Sequence, residues 1–253
     1  MSYVSILGHD TWTSIGIERA ETVLLLHGGL SNSDAMLDTI GGPLGDTYRV
    51  TAFDRRGHGR TADTTAPFHY ATMADETIAF LEHLGGHAHL VGWSDGGNVG
   101  LLVALQRPDL VGRLVTIGAN FHHDGLRPLT GGSDSPVFAA MTAEYGERSP
   151  DGAEHFDEVL GKSLTMFGSE PELTVDDLGQ ISVPVLVMAG DDDLIELGHT
   201  CALYESIPGA QLAVVPGTSH GLPAEDPQET VRIIKRFLAA DLPPTTMMPN
   251  RRA

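Results

Sequence analysis

Short runs of apolar residues at consecutive positions recur along this chain, and longer amphipathic stretches separate them. A strand needs this pattern when both of its faces are buried, as in a parallel sheet that helices cover on both sides. Six such runs predict parallel strands, over residues 22–26, 49–53, 88–92, 114–117, 183–188 and 211–215. Residues 3–7 and 11–17 predict an antiparallel hairpin at the edge of the same sheet.

The stretches between these runs predict helices, because their apolar residues recur at spacings of three and four. They cover residues 70–84, 95–106, 197–206 and 224–240. Strands that alternate with helices predict an α/β fold, with a mostly parallel central sheet and helices on both faces. In such folds functional groups collect at the carboxyl ends of the strands. Residues that directly follow a strand are therefore the first candidates for a functional site.

The interval 121–180 departs from this alternation. It opens with Gly, Pro and Ser residues, and then offers two helical stretches near 135–146 and 152–167. We interpret it as a small inserted helical cap, with 1–120 and 181–240 forming one α/β core and 241–253 a flexible tail. Five side chains are candidates to contact a substrate below the cap: Leu30, Trp93, Phe121, Met141 and Tyr145. The alternative is that the apolar residues of the cap only pack it onto the core.

The chain carries 34 acidic and 15 basic residues, so its net charge is −19 at neutral pH. The basic residues are spread along the chain, which argues against nucleic acid or an anionic membrane as a partner and favours neutral or cationic small molecules. Cys201 is the only cysteine, so no intrachain disulfide can form. The N-terminus lacks the pattern of a secretory signal, and no apolar run reaches about 18 residues, so we expect a soluble cytoplasmic protein. The oligomeric state does not follow from the sequence.

The sequence Gly92-Trp93-Ser94-Asp95-Gly96 joins a predicted strand to a predicted helix. This pattern is typical of a nucleophile elbow, a sharp turn that exposes a serine hydroxyl at the carboxyl end of a strand. The two glycines remove side chains that would collide with the neighbouring strand and helix. Because the motif is short, it is a weak signal by itself, and its position between a strand and a helix is the main evidence for an elbow. Ser94 is therefore the candidate nucleophile, and the alternative is an ordinary glycine-rich turn.

A serine hydroxyl needs a base to react at neutral pH, and histidine has a suitable pKa. Of the 12 histidines, His220 follows the last predicted strand, at the same edge of the sheet as the elbow. His83, His87 and His89 crowd a helix end and a strand start, but no carboxylate stands at ligand spacing, so we expect no metal site. Two further histidines open the predicted cap and are expected to be solvated or to face a substrate: His122 and His123.

Asp191, Asp192 and Asp193 directly follow the last strand but one. Three adjacent carboxylates repel one another, so at least one of them should gain a compensating partner. A protonated His220 is a suitable partner, because an acid is needed to orient the base and to stabilise its positive charge. The residues alone do not decide which of the three aspartates takes this role.

The strand over 22–26 ends in His27-Gly28-Gly29-Leu30, where the glycines allow close approach to the backbone. Backbone N–H groups near the nucleophile can stabilise an oxyanion. We expect the N–H groups of Gly29 and Asp95 to form this oxyanion hole. The alternative for this segment is an ordinary turn that ends a strand.

Over residues 20–240 the chain resembles the α/β-hydrolase superfamily, and four landmarks stand in the order of that family. They are His27-Gly28-Gly29, Asp54-Arg55-Arg56-Gly57-His58-Gly59, Ser94, and Gly190-Asp191-Asp192-Asp193 with His220. The resemblance implies that Asp193 is the acid, because the family acid stands three residues after the glycine that ends the strand. It also implies Gly29 as the first oxyanion donor, with Leu30 as the alternative if the turn is offset by one residue.

Within the superfamily the elbow resembles that of the biphenyl hydrolase-like and carboxylesterase-type group. A serine in place of an aspartate at the elbow implies acyl transfer to water, and not dehalogenase or epoxide hydrolase activity. We expect a carboxylesterase-like enzyme that cleaves a small ester without a cofactor. A lactonase or a carbon–carbon bond hydrolase with the same residues is one alternative, and a receptor-like protein with slow turnover is another.

In hydrolases similar to this group a carboxylate beside the nucleophile could pair with a substrate amine. For this chain the resemblance suggests an amino-acid ester recognised by Asp95. The alternative is that Asp95 begins a helix, where the macrodipole favours a carboxylate whatever the substrate. Membership of a fold does not decide between these substrates.

Overall fold

The computed structural model describes residues 2–128, 136–241 and 246–248. Eight strands form one sheet: β1 (Ser2–Ile6), β2 (His9–Ile15), β3 (Thr22–Leu26), β4 (Arg49–Phe53), β5 (Ala88–Trp93), β6 (Val111–Ile117), β7 (Val185–Asp192) and β8 (Gln211–Ser219). The strand order is β1-β2-β4-β3-β5-β6-β7-β8. The β1–β2 and β2–β4 pairs are antiparallel and every other pair is parallel. The predicted mostly parallel sheet, with an antiparallel hairpin at its edge, is confirmed.

Helices follow most of the strands. The α-helices are α1 (Asp34–Met36), α2 (Gly42–Gly45), α3 (Tyr70–His83), α4 (Asp95–Gln106), α5 (Pro136–Arg148), α6 (Phe156–Phe167), α7 (Val175–Leu178), α8 (Leu197–Ser206), α9 (Leu222–Glu225) and α10 (Pro227–Ala239). A π-helical turn, Leu37–Gly41, joins α1 to α2. Short 3-10 turns occur at Pro108–Leu110, His123–Gly125 and Ala153–His155.

The two faces of the sheet contact two separate hydrophobic cores. Along β3, Leu24 and Leu26 belong to the core that includes α3 and α4, whereas Val23 and Leu25 belong to the core that includes α10. All four side chains are at most 1% exposed. Burial on both faces therefore explains why the strand residues are apolar at consecutive positions.

The two last strands extend further than their apolar patterns predict. β7 continues to Asp192 and β8 to Ser219, and these two end residues pair. Asp191 supports the extension, since its Oδ1 accepts hydrogen bonds from the N–H groups of Gly217 (2.7 Å) and Thr218 (3.3 Å). The extension is polar and held partly by a side chain, so the apolar pattern does not reveal it.

The helical segment from α1 to α2 was absent from the predicted elements, because it contains three glycines and a proline. Met36, Ile40 and Leu44 recur every four residues along it, and all three are fully buried in the core that includes α10. Tertiary packing here outweighs the low helix propensity of glycine and proline.

Three helices, α5, α6 and α7, lie between β6 and β7, in the interval interpreted as a cap. The predicted helices over 135–146 and 152–167 correspond to α5 and α6, although residue 135 lies outside the described residues. The domain boundaries stay a prediction. Of the predicted tail over 241–253, only 241 and 246–248 are described. Within the described ranges no helix has both the length and the apolar character needed to span a membrane.

Candidate active site

Ser94 lies between β5 and α4 with φ of 54° and ψ of −122°, which a non-glycine residue rarely adopts. The turn is possible because its two flanking positions carry no side chain. A Cβ atom on Gly92 would lie 2.2 Å from the carbonyl oxygen of Gly96, and one on Gly96 would lie 2.0 Å from that of Leu26. The elbow therefore requires glycine at both positions.

Ser94, His220 and Asp193 form one hydrogen-bonded chain. His220 Nε2 lies 2.9 Å from Ser94 Oγ, and His220 Nδ1 lies 2.7 Å from Asp193 Oδ1. An ionised carboxylate can only accept, so the Nδ1–H group of His220 donates to Asp193 and Nε2 is left to accept from the serine hydroxyl. This arrangement can remove the proton of Ser94 while the resulting imidazolium faces a negative charge.

Of the three adjacent aspartates, one reaches His220. Asp193 is only 7% exposed, whereas Asp191 and Asp192 are exposed. Burial by itself would raise the pKa of Asp193, but the hydrogen bond and charge of His220 and the N–H group of Ile195, at 3.0 Å, outweigh it and lower that pKa. Asp193 is therefore ionised at neutral pH.

Two sets of contacts hold the loop that carries His220. Trp93 Nε1 donates a 2.7 Å hydrogen bond to the carbonyl oxygen of His220. Glu225 accepts hydrogen bonds from the backbone N–H and the hydroxyl of Ser219, each at 2.6 Å. Gly118, with φ of 60°, packs closely against the ring, since a Cβ atom there would lie 3.0 Å from His220 Nδ1. No local motif marks Gly118, because its role depends on β6 ending beside the two last strands.

The segment that follows β3 is held by the buried side chain of Arg55. Its guanidinium donates to the carbonyl oxygens of His27 (2.7 Å) and Gly28 (3.1 Å), and its backbone N–H donates to His27 Nε2 (3.1 Å). Burial and then the charge of Arg55 keep the pKa of His27 well below its ordinary value. His27 is therefore neutral, and its Nδ1–H donates to the carbonyl oxygen of Gly28 at 2.7 Å. These two side chains fix the backbone of the predicted oxyanion segment.

The N–H groups of Gly29 and Asp95 have no acceptor in the part of the chain that the structure describes. Both residues line the cavity beside Ser94. Leu30 also lines this cavity, and its N–H has no acceptor among the described residues either. Its φ of 53° is unusual for a residue other than glycine. Free N–H groups beside a nucleophile can bind an oxyanion. The geometry therefore agrees with Gly29 or Leu30 as the first donor, together with Asp95.

Asp95 is 4% exposed and directly follows Ser94. Its Oδ1 accepts a 2.7 Å hydrogen bond from the hydroxyl of Tyr70, whereas its Oδ2 is buried without a partner among the described residues. Burial raises the pKa of Asp95, against the lowering effects of Arg55 and of the Tyr70 hydroxyl. A buried acceptor without a partner is energetically costly, so a hydrogen-bond donor that reaches this oxygen would be bound favourably. The sequence patterns did not single out Tyr70, which is distant along the chain.

A cavity of about 390 Å³ opens at Ser94. Three of the five side chains predicted to contact a substrate line it: Leu30, Trp93 and Met141. Further apolar side chains complete the lining: Leu126, Phe138, Phe167, Leu194 and Ile195. Besides the imidazole of His220, its ionisable side chains include the carboxyls of Asp95 and Glu170, and none of the described residues that line it is Arg or Lys. A cavity of this size and composition suits a small, mostly apolar ligand.

The structure does not bring Phe121 and Tyr145 to this cavity. Phe121 stacks on His199 with ring centroids 4.0 Å apart, and Tyr145 packs against Phe156 with centroids 5.6 Å apart. Both side chains are buried and contribute to packing. The direction of a side chain on a cap helix depends on how that helix docks, which the apolar pattern alone does not determine.

Comparison with known proteins places this chain among the α/β hydrolases. The family model described as "Alpha/beta hydrolase family" matches residues 23–233. Two bacterial relatives are named "Putative carbamate hydrolase RutD". The relative from a Caulobacter species is 28% identical over 243 residues, covering 86% of this chain and 91% of its own length. The relative from Agrobacterium fabrum is 30% identical over 247 residues, covering 86% of this chain and 94% of its own length.

Two solved structures share the fold over almost all of both chains. The enol-lactonase from Burkholderia xenovorans matches with a TM-score of 0.75 and 21% identity, covering 94% of this chain and 100% of its own. A meta-cleavage product hydrolase from Pseudomonas fluorescens matches with a TM-score of 0.75 and 20% identity, covering 94% of this chain and 97% of its own. At such identities the similarity shows the fold, and one fold can serve many reactions.

Proposed function

Because this chain belongs to the alpha/beta hydrolase family, we propose that it is a serine hydrolase that cleaves a small carboxylic ester, or a related acyl bond, through an acyl-enzyme on Ser94. One observation carries the proposal. Ser94 Oγ, His220 and Asp193 are linked by hydrogen bonds of 2.9 and 2.7 Å at the wall of a cavity. A hydroxyl, a base and an orienting acid are the three side chains through which serine hydrolases transfer an acyl group to water.

In the first step Ser94 Oγ attacks the carbonyl carbon of the substrate, and its proton passes to His220 Nε2. The N–H groups of Gly29 or Leu30, and of Asp95, stabilise the negative charge on the former carbonyl oxygen. When this intermediate collapses, the bond to the leaving alcohol breaks and His220 gives its proton to that alcohol. The acyl group then remains on Ser94 as an ester.

In the second step a water molecule attacks the acyl-enzyme, and His220 Nε2 takes its proton. Collapse of the second intermediate releases the carboxylic acid, and the proton on His220 returns to Ser94 Oγ. Throughout both steps the carboxylate of Asp193 holds the Nδ1–H group and stabilises the imidazolium. The enzyme is thereby restored.

The charges around the cavity favour neutral or cationic substrates over anionic ones. No Arg or Lys is among the described residues that line it with the carboxylates of Asp95 and Glu170, and the net charge of −19 acts in the same direction. The buried guanidinium of Arg55, outside the lining, offsets part of the charge of Asp95. The buried, unpartnered Oδ2 of Asp95 favours a substrate with a donor close to its acyl group. A protonated amine is the strongest such donor, which supports an amino-acid ester as one substrate class.

A carbamate is a second candidate, suggested by the name of the two relatives. The same two steps apply to a neutral carbamate ester, since it also has an acyl carbon and a leaving alcohol. A free carbamate anion would be repelled by Asp95 and Glu170. A lactone, or a carbon–carbon bond beside a carbonyl group, would use the same residues and stays an alternative.

Labelling with a fluorophosphonate probe tests the proposed nucleophile. We expect the wild type to be labelled and the Ser94→Ala and His220→Ala variants to lose labelling. Ester hydrolysis should fall about a million-fold in Ser94→Ala. Ser5→Ala, which alters an exposed serine of β1, is the matched control and should behave as wild type. A folded wild-type protein that neither reacts with the probe nor hydrolyses any ester would favour the receptor-like alternative, and the proposal would fail.

A panel of amino-acyl, simple acyl and carbamoyl esters of one alcohol separates the substrate classes. We expect Asp95→Asn to lower kcat/KM for amino-acyl esters about 10- to 100-fold and to change it little for simple acyl esters. Asparagine keeps the backbone N–H of the predicted oxyanion hole, so a selective loss reports the side chain. Equal rates for amino-acyl and simple acyl esters in the wild type would remove the amine assignment and leave the hydrolase assignment intact.

A further inference from the structure

A second group of chemically active side chains, His122, His123 and Glu172, lies outside the lining of the proposed active site. An isolated antiparallel bridge joins His122 to Glu172, and a 2.8 Å hydrogen bond from His123 N–H to the carbonyl oxygen of Pro171 supports it. One candidate metal-ligating atom from each of the three side chains lies within 4.8 Å of the other two. Residues 50 positions apart are thereby held together by the backbone.

Asp124 lies beside both imidazoles of this group. Its carboxylate is 3.5 Å from His122 Nδ1 and 3.2 Å from His123 Nδ1. At His123 the carboxylate lies close enough for Nδ1–H to face it, which leaves the Nε2 lone pair free, and no described residue hydrogen-bonds to the Nε2 atom of either imidazole. A carboxylate on the nitrogen that does not bind the metal is the usual surrounding of a metal-bound histidine. At His122 the Nδ1 atom accepts a 3.2 Å hydrogen bond from the N–H of Asp124, so binding of a metal through Nε2 requires the other tautomer, in which this bond is given up and Nδ1–H faces the Asp124 carboxylate.

We propose that His122, His123 and Glu172 bind a zinc ion through the two Nε2 atoms and one carboxylate oxygen. Two imidazoles and a carboxylate form a ligand set that zinc accepts, with water at the fourth position. The histidine side chains are 32% and 26% exposed and Glu172 is exposed, so the ion can enter from solvent. The charges of Glu172 and Asp124 together neutralise a divalent cation, and the acidic protein surface attracts it.

The zinc site would connect two stretches that also supply residues to the cavity at Ser94. His122 follows Asn120, whose Nδ2 donates to the carbonyl oxygen of His122 at 2.9 Å and which lines the cavity. Glu172 follows Glu170, which lines the same cavity. Bound zinc therefore links the beginning and the end of the segment that carries α5 and α6, and it should stabilise that segment against unfolding.

Titration of the full chain with zinc, by calorimetry or against a chromogenic chelator, tests the site. We expect one zinc ion per chain, and an affinity at least about tenfold lower in His123→Ala and in Glu172→Gln. Asp124→Asn should cause a smaller reduction, because it removes only the partner of the imidazoles. His83→Ala removes an exposed histidine at the end of α3 and is the matched control that should bind as wild type. Zinc should also raise the melting temperature of the wild type but not that of His123→Ala.

Equal zinc affinity in the wild type, His123→Ala and Glu172→Gln would overturn the proposal. An equal loss in His83→Ala would overturn it as well, because it would indicate an adventitious ion only. Glu172→Gln alters an exposed side chain without changing its shape, so its result stands even if His123→Ala does not fold. Neither measurement depends on hydrolysis, so the zinc site can fail or hold independently of the proposed function.

Discussion

The two walls of the cavity are held in place by different means. On the core side Ser94 and His220 stand directly after strands, and main-chain contacts fix the elbow: the N–H of Ser94 donates to the carbonyl oxygen of Ile117 at 2.8 Å. On the opposite side α5 and α6 supply Phe138, Met141 and Phe167 to the lining. Side chains, and not backbone pairing, connect these two helices to the core: apolar side chains buried in the core that includes α3 and α4, and charged side chains that form ion pairs with it.

Two acidic residues of the core form ion pairs with this helical segment. Asp63, whose side chain is 2% exposed, accepts hydrogen bonds from Lys162 Nζ at 2.6 Å and from His155 Nε2 at 3.0 Å. Asp34 accepts a 3.1 Å hydrogen bond from Arg148 Nε. In both cases the acid belongs to the core and the base to α5, to α6 or to the turn before α6.

This difference between the two walls determines whether a mutation affects the reaction, the folding of the core or a single contact. Where main-chain atoms are the neighbours, a new side chain cannot be accommodated without moving a strand, so substitutions affect the chemistry or the folding of the whole core. Where side chains make the connection, a substitution removes the energy of one contact and leaves the backbone intact. The core side should therefore preserve the reaction, while the helical side can vary with the substrate.

The largest effect on the core side is expected for Asp193→Asn. Its amide would favour the wrong tautomer of His220, so kcat/KM should fall about ten-thousandfold in steady-state assays while the fold is kept. Asp192→Asn is the matched control, because Asp192 is the exposed neighbour. Similar activities for Asp193→Asn and Asp192→Asn would show that Asp193 does not orient His220 for the reaction.

Gly96→Ala and Gly161→Ala compare how much a new side chain changes the free energy of unfolding on the core side and on the helical side of the cavity. In Gly96→Ala the new Cβ atom would meet the carbonyl oxygen of Leu26 at 2.0 Å, so the free energy of unfolding should fall by at least about 3 kcal/mol. Gly161→Ala, within α6, is the control: its Cβ atom would meet no atom within 4 Å, and it should stabilise the protein by about 0.5–1 kcal/mol. Denaturant titrations measure both, and equal destabilisation by the two variants would refute the contrast.

Lys162→Met tests the connection of α6 to the core. It leaves the buried carboxylate of Asp63 with His155 as its only side-chain partner, so the free energy of unfolding should fall by about 1.5–3 kcal/mol, with little change in kcat for a small ester. Lys235→Met alters the only other lysine of the chain and should cost much less. A loss of kcat as large as that of Asp193→Asn would mean that the helical side does determine the chemistry.

The same contact should have a characteristic pH dependence. Burial by itself would raise the pKa of Asp63, but the hydrogen bonds from Lys162 and His155 outweigh it and lower that pKa. A carboxyl whose pKa is lower in the folded state stabilises the protein above its unfolded-state pKa, and this contribution is lost as the pH falls through the folded-state pKa. The stability difference between the wild type and Lys162→Met should therefore be constant near neutral pH and shrink in acid. A difference that widens on acidification would contradict the assignment.

Most of the fold and the centre of the candidate site could be predicted, because their signals are local. The strands Thr22–Leu26 and Arg49–Phe53 and the helix Asp95–Gln106 have the predicted bounds. Ser94 and His220 stand where a strand ends, so the β–α alternation alone brings them to one edge of the sheet. The resemblance singled out Asp193, which is the aspartate that the structure places on His220.

The residues that were not predicted are those whose roles depend on docking. Tyr70 reaches Asp95 only because α3 begins beside the elbow, and Gly118 faces His220 only because three strands end together. Phe121 and Tyr145 share the apolar character of the cavity lining but are used for packing. Apolar character alone does not show whether a side chain will line a cavity or pack in the core.

The sequence by itself therefore determined the sheet, the elbow and the residues at the strand ends, because hydrophobic periodicity and glycine sterics act over a few neighbouring residues. Only the tertiary structure decided which side chains line the cavity, that Tyr70 reaches Asp95, and that His122 and Glu172 lie side by side. Those contacts join segments far apart in the chain, and they depend on how helices and loops pack onto the sheet. Such packing is set by many weak contacts at once, so no short stretch of residues encodes it.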